Sequence, residues 1–512
     1  MSMETPYPRR WQALIVLSVS LLVISVGNTI LNVALPTIQQ ELDASASELQ
    51  WIVDGYLLLF AGLLLAAGSL GDRFGRRRAL ITGLLVFGLG SGLAALCTSS
   101  TGLIASRALM GIGAAGIMPT TLSIISNTFP DHERPRAIAV WAAVAGLGVA
   151  VGPIAGGWLI EHADWSAIFL LNLPAVILCL IGAVTLVPES RDRDSPPLDV
   201  AGAGLSVAGL SAVVWGLIEA PERGWTDPLI VAAFGGGALI LGAFVAWERR
   251  AEHPMIDVRV FHNARFSAAS ASVAFVYFAL MGVMYFLTSY LQSVLGYSAL
   301  DAGIRMLPIA GGMIVASRIS VVVTRRLGTK VSVAAGLGTV AVALALLAGF
   351  DAHTGFGDIA VALATMGAGI GLAMAPATEA IMGSLPPARA GVGSAMNDVV
   401  REVSGTLGVA VLGSMLASGY ASGMDDAASG LPDASAAAAS DSIGGAHAVA
   451  AQLGSGGADL VTAANDAFVH AMSTTATVAA CIAVAGALIA AALLPARGRT
   501  AAPAALPEPA AA

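Results

Sequence analysis

The stretch Gly68-Ser-Leu-Gly-Asp-Arg-Phe-Gly-Arg-Arg-Arg-Ala-Leu80 organises this chain, because it places a cluster of arginines between two long apolar runs. An apolar run of about 20 residues is long enough to cross a bilayer as a helix. Arginines resist transfer into hydrocarbon, and short basic connections stay on the cytoplasmic side of a membrane. The turn therefore predicts a cytoplasmic face, from which every other apolar run can be oriented.

The composition predicts an all-α polytopic membrane protein. Of the 512 residues, 56% are hydrophobic and only 11% are charged, whereas soluble domains carry about 25% charged residues. Cys97, Cys179 and Cys481 all lie within apolar runs, so they indicate neither a disulfide framework nor a zinc site. The His residues show no metal spacing, and the single lysine, Lys330, is not part of a phosphate-binding loop. We therefore expect no enzyme activity, no metal, no cofactor and no nucleic-acid partner.

Fourteen apolar runs predict fourteen transmembrane helices, with both termini in the cytoplasm. The fifth run covers about 137–160 and the thirteenth about 396–418. With this orientation most of the 25 Lys and Arg residues lie on cytoplasmic segments. An excess of basic residues on that side is the pattern expected of inner-membrane proteins.

The chain also contains an internal repeat. Met110-Gly-Ile-Gly113 recurs as Met366-Gly-Ala-Gly369, and Arg73-Phe-Gly75 recurs as Arg326-Leu-Gly328, at a spacing of about 255 residues. This repeat predicts two pseudo-symmetric six-helix bundles, 1–190 and 266–512, with two inserted helices in a linker at 191–265. Parallel repeats of this kind place a substrate cavity at their interface and move by rocking.

Two segments of the carboxy-terminal part differ from the rest in composition. Residues 419–467 are rich in Ala, Ser and Gly, with six Asp and no Lys or Arg, and residues 500–512 form an Ala/Pro tail. Such composition offers little to pack. We expect a mobile external loop, parts of which could be helical, and a disordered tail.

The fifth predicted span has a face without side chains. Gly148, Gly152 and Gly156 follow one another at intervals of four, with Pro153 and Gly157 beside them. Small residues on one face let a neighbouring helix approach to backbone contact, and a proline allows a bend. The pattern fits either ordinary packing or a functional helix contact.

Together these motifs resemble the fourteen-span drug:proton antiporters of the major facilitator superfamily. The resemblance rests on Gly68–Leu80, on Gly148–Gly157, on Ala105-Ser-Arg107-Ala-Leu-Met-Gly111-Ile-Gly113, and on the stretches Asn28–Pro36 and Tyr290–Tyr297. It implies a major facilitator fold and proton-driven export of small amphipathic drugs across the plasma (inner) membrane by a monomer. It also implies that the proton gradient is the energy source and that Gly148–Gly157 seals the closed state.

The chain departs from this family in two places. Many members carry an acid in span 1 where this chain has Gly27, and an aromatic-Arg-aromatic run is replaced by Trp165-Ser166-Ala167. Proton coupling needs a titratable group within the membrane, where an ionised side chain is costly. The candidate acids in this sequence are Asp54, Glu379, Asp398 and Glu402, with Arg107 as the partner of Asp54.

Each of these candidates has an alternative. We hypothesise that Asp54, poised by Arg107, replaces the missing acid, although the two could form a static ion pair. Glu379 could be a solvated acid near the end of its span. Asp398, Arg401 and Glu402 have the spacing of a helical ion-pair cluster, which favours a structural or gating role.

The resemblance also suggests a conformational latch and a substrate cavity. An acid beside a helix end and ringed by arginines can hold two halves together, so we assign the latch to Gly68, Asp72, Arg73, Gly75 and Arg76. The predicted cavity residues are polar and aromatic side chains of spans 1 and 9: Asn28, Asn32, Phe275, Tyr277, Phe278 and Tyr285.

Two other functions remain open at this point. A transporter of this architecture could export one endogenous metabolite or import a nutrient, because the fold does not dictate the ligand. A membrane receptor or assembly subunit derived from a transporter could bind a ligand without moving it. Titratable residues within the spans argue against this last class.

Overall fold

A computed structural model describes residues 7–42, 44, 46–191, 199–251, 254, 258–385 and 390–494. In these ranges the chain is helical, as expected for backbone that must satisfy its own hydrogen bonds in lipid. The α-helices are α1 (Arg10–Leu42), α2 (Ala46–Phe74), α3 (Arg76–Ala95), α4 (Ser100–Thr128), α5 (Arg134–His162), α6 (Ala167–Leu170), α7 (Asn172–Leu186), α8 (Val200–Arg223), α9 (Pro228–Glu248), α10 (Ala264–Ser289), α11 (Ala299–Arg305), α12 (Leu307–Leu327), α13 (Thr329–Ala348), α14 (Phe356–Met382), α15 (Ala390–Ala428), α16 (Asp433–Asp441), α17 (Ile443–Leu453) and α18 (Ala458–Leu493).

Thirteen candidate membrane spans occur among the described residues, judged by length and composition. Two of them combine consecutive α-helices, α6 with α7 and α11 with α12, and a third extends α10 through a π-helix at Tyr290–Val294. The fifth predicted span corresponds to α5, a helix of 29 residues that is not among the thirteen. A count of fourteen therefore stays a prediction.

Helix ends lie where the sequence supplies caps. Ser99 and Asp227 accept hydrogen bonds from the first backbone N–H groups of α4 and α9, and Pro228 occupies the first turn of α9. Inside α4, Pro119 interrupts the hydrogen-bond ladder, and the hydroxyls of Thr120 and Thr121 bond nearby backbone carbonyls. Such hydroxyl bonds make a proline tolerable in a membrane helix.

The sequence repeat is also a repeat of helix packing. Gly111 of α4 faces the backbone of Tyr56 in α2, and Gly367 of α14 faces the backbone of Ile309 in α12. Because each glycine replaces a side chain with backbone contact, both pairs of helices approach closely. We refer to α1–α7 as the amino-terminal half and to α10–α18 as the carboxy-terminal half; the predicted domain boundaries themselves stay predictions.

The turn that opened the sequence has a twin in the other half. Gly75 between α2 and α3 has φ +115°, and Gly328 between α12 and α13 has φ +91°. Residues with a side chain rarely adopt such backbone angles, so glycine is required at both turns. We call the side of the molecule that carries these turns the basic face.

The inserted helices α8 and α9 lie against the interface of the halves. The α8 helix packs on both α2 and α15, whereas α9 packs chiefly on α8. Ser211 of α8 lies against Gly62 of α2, and the Trp225 indole N–H donates to Ser414 Oγ of α15 at 3.3 Å. The insertion therefore contacts both halves at once.

Residues 419–467 are largely helical, which the sequence analysis had allowed for parts of this segment, while its mobility and external location stay predictions. The α15 helix continues to Ala428, and α16, α17 and the start of α18 occupy most of the remainder. The Tyr420 hydroxyl donates to the Ala439 carbonyl at 2.9 Å, and Gly423 packs on Ala467. Alanine is the best helix former, and small side chains allow helices to pack closely. The predicted disordered tail, 500–512, lies outside the described residues.

Candidate functional site

The main contacts between the halves are made by α5 of the amino-terminal half and α15 of the carboxy-terminal half. The α5 helix packs against α11, α12 and α14, and α15 packs against α2 and α4. Charged side chains lie at this interface in two places, one inside the helix bundle and one at the basic face. Those inside the helix bundle are buried.

The charged group inside the helix bundle centres on Arg401 of α15. Its guanidinium carbon lies 4.5 Å from the ring centre of Tyr277 in α10 and 5.5 Å from that of Trp141 in α5. Arg401 Nη1 is 3.5 Å from the Oδ1 atom of Asp398, which is fully buried, and Asn397 Nδ2 donates to the same oxygen at 3.4 Å. We call Trp141, Tyr277, Asn397, Asp398 and Arg401 the Arg401 cluster.

The helix that carries Asp398 and Arg401 begins earlier than the sequence predicted. The thirteenth span was expected to begin near residue 396, which would place these residues at its inner end. The helix begins at Ala390 instead, so Arg401 lies about 16 Å along it at 1.5 Å per residue. The apolar part of this helix, Gly393–Ala428, begins three residues later, so the predicted location of the cluster near the inner end of the span stays a prediction.

Several polar atoms of the Arg401 cluster lack partners. Asp398 Oδ2, Asn397 Oδ1, and Arg401 Nε and Nη1 are buried without a hydrogen bond to any described residue. Buried polar groups are nearly always hydrogen-bonded, so such atoms require an explanation. A ligand, water or a proton at this position would supply one.

A second buried arginine lies in the amino-terminal half. Arg107 of α4 is 1% exposed; its Nε donates to the Ile52 carbonyl at 3.1 Å, and its guanidinium carbon lies 4.4 Å from the Tyr56 ring centre. Both contacts are to α2, on which Asp54 also lies. The side chain of Asp54 is outside the described residues, so the predicted Asp54–Arg107 pair stays a prediction.

Tyr56 also connects the Arg107 side chain with the rest of the interface. The Asn28 amide of α1 and the Glu402 carboxylate of α15 both lie within electrostatic range of the Tyr56 hydroxyl. Neither that hydroxyl nor Asn28 Oδ1 has a hydrogen-bond partner among the described residues. Helices from both halves thus place incompletely bonded polar groups around one region of the interface.

The second group of charged residues at the interface lies at the basic face. Arg134 at the start of α5 is 3.9 Å from Glu379 near the end of α14, and an Arg325 guanidinium N–H donates to the His132 carbonyl at 3.3 Å. Both contacts join the amino-terminal half to the carboxy-terminal half. Glu379 was interpreted as a solvated acid, and sequence reasoning missed its contact with Arg134.

The segment that forms these contacts is anchored within its own half. Arg10 of α1 binds the Glu133 carboxylate through Nε at 2.6 Å and Nη2 at 3.0 Å. These hydrogen bonds from Arg10 hold the pKa of Glu133 below its usual range. Glu133 therefore stays ionised at neutral pH, and this anchor does not respond to protons near pH 7.

The predicted latch residues form a local ion pair. Asp72 lies 2.6 Å from Arg76, four residues further along the chain, and both side chains are buried. Arg77 and Arg78 each approach Glu189 to 3.8 Å, after the end of α7. These contacts stay within the amino-terminal half, and a latch between the halves through Asp72 stays a prediction.

The glycine face of α5 packs on α1. Thr29 Oγ1 of α1 donates to the Gly148 carbonyl at 3.1 Å, and a side chain at Gly152 would collide with Thr29. Gly157, one turn further, faces Leu300 of α11 in the carboxy-terminal half. The sequence therefore correctly predicted close packing here, while the sealing role stays a prediction and the Pro153 side chain lies outside the described residues.

The predicted cavity residues divide into different environments. Tyr277 belongs to the Arg401 cluster, but Phe275 packs on Gly486 of α18, and Phe278 lies against Gly408 of α15. Tyr285 packs on Gly413 and is 52% exposed. The side chain of Asn32 is not among the described ones. The set therefore does not form one continuous wall.

Two important residues were not predicted from the sequence. Trp141 is one of two tryptophans in a helix rich in Ala and Gly, and no periodicity or charge distinguishes it. Arg134 could have been found, because the charged segment Asp131–Arg136 directly follows a predicted span and precedes another. Neither partner, Arg401 nor Glu379, is close to them in sequence.

A helical membrane protein with two repeated halves and buried charges between them has the architecture of a secondary transporter. The chain belongs to the Major Facilitator Superfamily, whose model matches residues 17–409. The membership defines a multi-pass membrane transporter that handles small molecules.

Relatives and solved structures agree with this assignment. The multidrug efflux pump LfrA of Mycolicibacterium smegmatis is 37% identical over 86% of this chain and 87% of that protein. The tetracenomycin C resistance and export protein of Streptomyces glaucescens is 33% identical over 80% of this chain and 76% of that protein. The proton:xylose symporter XylE matches 95% of this chain and 96% of its own with TM-score 0.62 at 14% identity, a likeness of fold alone.

Proposed function

We propose that the protein exports small amphipathic drugs in exchange for protons, by rocking of its two halves about the Arg401 cluster. Relatives at more than 30% identity with multidrug efflux and antibiotic export names support the export of drugs. The observation that carries the mechanism is Asp398, a fully buried carboxyl at the interface with one oxygen lacking a partner.

Proton coupling needs an acid whose environment changes as the protein moves. Asp398 pairs with Arg401 of the same helix, and Arg401 lies against Tyr277 of α10 and Trp141 of α5, so separation of the halves alters the surroundings of the pair. Loss of the Trp141 ring lets the Arg401 guanidinium move relative to Asp398, which changes the free energy of the ionised carboxylate and favours binding of a proton in one state and release in the other. Asp54 with Arg107, and Glu379 at the basic face, are further candidates for the same role.

The finer assignment follows the resemblance. We place the protein among the fourteen-span drug:proton antiporters, as a monomer in the plasma membrane with both termini cytoplasmic. The length of α5, 29 residues or about 43 Å at 1.5 Å per residue, is sufficient for a fourteenth span. The proton gradient takes the place of a cofactor.

The test is drug export from proteoliposomes with an imposed pH gradient. We expect the wild-type protein to move a fluorescent amphipathic dye against its gradient, and an uncoupler to abolish this. Asp398→Asn should lower uphill transport by at least about tenfold, which corresponds to about 1.4 kcal/mol, while dye exchange without a gradient continues. Asp358→Asn, at an exposed acid in the first turn of α14, is the matched control. An uphill transport rate that stays the same when the pH gradient is removed would contradict the proposal.

A narrower specificity is the second candidate. One relative carries the name of a single antibiotic, tetracenomycin C, whereas another is named a multidrug pump. Susceptibility of a pump-deficient host to a panel of chemically unrelated drugs separates the two. Protection against only one compound class would favour the narrow exporter, and a complete lack of export would favour a receptor.

A further inference from the structure

The inserted helices α8 and α9 enclose a cavity near the start of α8 and the end of α9. On one side of it, Leu241 of α9 packs against Gly209 of α8. On the other side, the Trp247 indole N–H donates to both oxygens of the Asp199 carboxylate, at 3.0 and 2.9 Å. Between these contacts lies a cavity of about 420 Å³, which we call the α8–α9 cavity. Its lining residues are Leu205, Ala243, Ala246, Trp247, Arg250 and Ala251.

This cavity lies at the basic-face end of the two helices. Glu189, in the segment that leads to α8, is 3.8 Å from both Arg77 and Arg78 of the first basic turn. Arg265, in the first turn of the helix that follows α9, lies beside Gly383 at the end of α14. The chain therefore enters α8 and leaves α9 at the basic face. In the proposed orientation this face is cytoplasmic, the side on which anionic lipids attract basic residues near the membrane.

The cavity faces away from the interface between the two halves. The α9 helix packs chiefly on α8, and Ala243 and Ala246 are exposed on its surface. Leu239, on the same helix, is 76% exposed, as expected of a side chain that contacts lipid. A ligand of this cavity therefore comes from the bilayer and not from the region between the halves.

The lining matches a molecule with an apolar chain and an anionic head group. Leu205, Ala243 and Ala246 offer apolar surface, and the short alanine side chains leave room for a chain beside them. Trp247 is 45% exposed, and tryptophan rings at a membrane surface lie at the level of the lipid head groups. Arg250 follows the end of α9 and is exposed. A guanidinium binds phosphate through two parallel hydrogen bonds.

The charge of the lining also favours an anion. Arg250 is the one charged side chain among the described lining residues. The Asp199 carboxylate lies nearby, but it accepts hydrogen bonds from Trp247 and from the Gly202 backbone N–H, the latter at 2.7 Å. Glu248 is only 3% exposed and does not line the cavity. A single cation at the edge of an apolar cavity is the kind of polar group that orients a ligand.

We propose that the α8–α9 cavity binds one anionic phospholipid, with the phosphate on Arg250 and an acyl chain against Leu205, Ala243 and Ala246. This inference goes beyond drug export and does not depend on which substrate is carried. It assigns a ligand to two helices that the proposed transport mechanism does not use.

Two lipids with the same acyl chains test the inference. Dioleoylphosphatidylglycerol is anionic, and dioleoylphosphatidylcholine has no net charge. Each is titrated into delipidated full-length protein, and bound lipid is counted by native mass spectrometry. Arg250→Gln should weaken binding of the first phosphatidylglycerol about fivefold, the effect of one basic residue near a membrane surface, and should leave phosphatidylcholine unchanged. Arg250→Lys keeps the charge and should lose less than Arg250→Gln; equal losses would contradict a role for the charge.

The neighbouring arginine is the matched control. Arg249 is exposed like Arg250 but does not line the cavity, so Arg249→Gln should leave binding of phosphatidylglycerol unchanged. Equal weakening by Arg249→Gln and Arg250→Gln would indicate a diffuse effect of surface charge and overturn the inference.

Filling the cavity tests the site for the acyl chain. Ala246→Phe places a ring in the cavity and should weaken binding of the first phosphatidylglycerol at least about tenfold. Gly235→Phe, on the same helix where an added side chain meets open space, should not. Thermal unfolding of each variant checks that it is folded. Unchanged binding in a folded Ala246→Phe variant would overturn the inference.

Two further measurements exclude other occupants. Glycerol phosphate carries the same phosphate without acyl chains and should not displace the lipid at millimolar concentration; displacement would assign the cavity to a soluble phosphate instead. The same mass spectra report the oligomeric state. A dimer that binds no lipid and dissociates in Ala246→Phe would show that a second copy of the chain covers the cavity, which would also overturn the inference.

Discussion

Arg134 and Glu379 lie 3.9 Å apart and join the two halves at the basic face. Arg134 begins α5, and Glu379 is in the last turn of α14, so the contact links the ends of two helices that belong to different repeats. Asp131 lies 2.7 Å from the same arginine, which keeps Arg134 between two carboxylates. Opening of the interface at this face must break the contact with Glu379.

Neutralising Glu379 should favour opening at the basic face. The two side chains are 18% and 21% exposed, and a partly exposed ion pair contributes up to about 1 kcal/mol, or about fivefold in the open population. The measurement is the labelling rate of a single cysteine placed beside the interface in a variant that lacks Cys97, Cys179 and Cys481, with Glu379→Gln against wild type. Asp301→Asn, which removes the carboxylate paired with Arg305 at 3.0 Å, is the matched control. Equal labelling rates in Glu379→Gln and wild type would falsify a gating role.

Asp54→Asn should flatten the pH dependence of drug export. Arg107 contacts the Ile52 carbonyl and the Tyr56 ring, on either side of Asp54 in the sequence. If Asp54 carries the proton, a neutral amide at this position removes the titration that links export to pH. Export by everted vesicles is measured over a range of external pH, with Asp227→Asn at the half-buried N-cap of α9 as control. Full export with an unchanged pH profile would assign Asp54 a static role and leave Asp398 as the stronger candidate.

Gly152→Ala should force α5 away from α1. A methyl group at Gly152 would collide with Thr29 and would lie 3.0 Å from the Ile30 backbone nitrogen. Overpacking of this kind typically costs about 1–3 kcal/mol, so we expect a lower unfolding temperature and a higher proton leak in vesicles. Gly235→Ala on α9 is the control, because no atom lies within 4 Å of its added methyl group. Equal stability of the two variants would show that α1 and α5 tolerate separation.

Gly75→Ala should destabilise the turn between α2 and α3. The backbone at Gly75 has φ +115°, and an added methyl group would lie 2.8 Å from a Glu189 carboxylate oxygen. Backbone strain at such angles costs on the order of 1–3 kcal/mol. Gly328→Ala, at the equivalent turn with φ +91°, should cost a similar amount, whereas Gly92→Ala has open space. Thermal unfolding of the three variants gives the comparison, and a destabilised Gly92→Ala or a neutral Gly75→Ala would contradict it.

The parts of the structure that were predictable from sequence are those encoded by local spacing or by the repeat. The glycines at 148 and 152 predicted backbone contact with a neighbouring helix, and the matching Arg-x-Gly motifs predicted twin turns at Gly75 and Gly328. The pairing of Asp72 with Arg76 could also have been found, because four residues is the spacing of neighbours on a helix.

The remaining contacts depend on how distant helices meet. Nothing near Trp141 or Arg401 in the sequence indicates that their side chains touch, because the two lie on helices of different halves. The start of α15 was predicted too late, because the helix begins at Ala390, before its apolar run. The extent of helix in the Ala-rich segment 419–467 was underestimated because low complexity gives little to pack, although alanine forms helices readily.

The position of α8 has a mechanical consequence. The two repeats are related by symmetry, but α8 lies at only one of the two interfaces between the halves. There it packs on α2 and α15, and Trp225, just after its end, donates a hydrogen bond to Ser414 of α15. At the opposite interface, where α5 meets α12, no inserted helix lies among the described residues, and side-chain contacts such as that of Arg325 with the His132 carbonyl join the halves there. Any motion that separates α2 from α15 must strain or release α8, whereas α5 and α12 can separate without moving it. A structurally duplicated protein therefore has a stiff side and a compliant side.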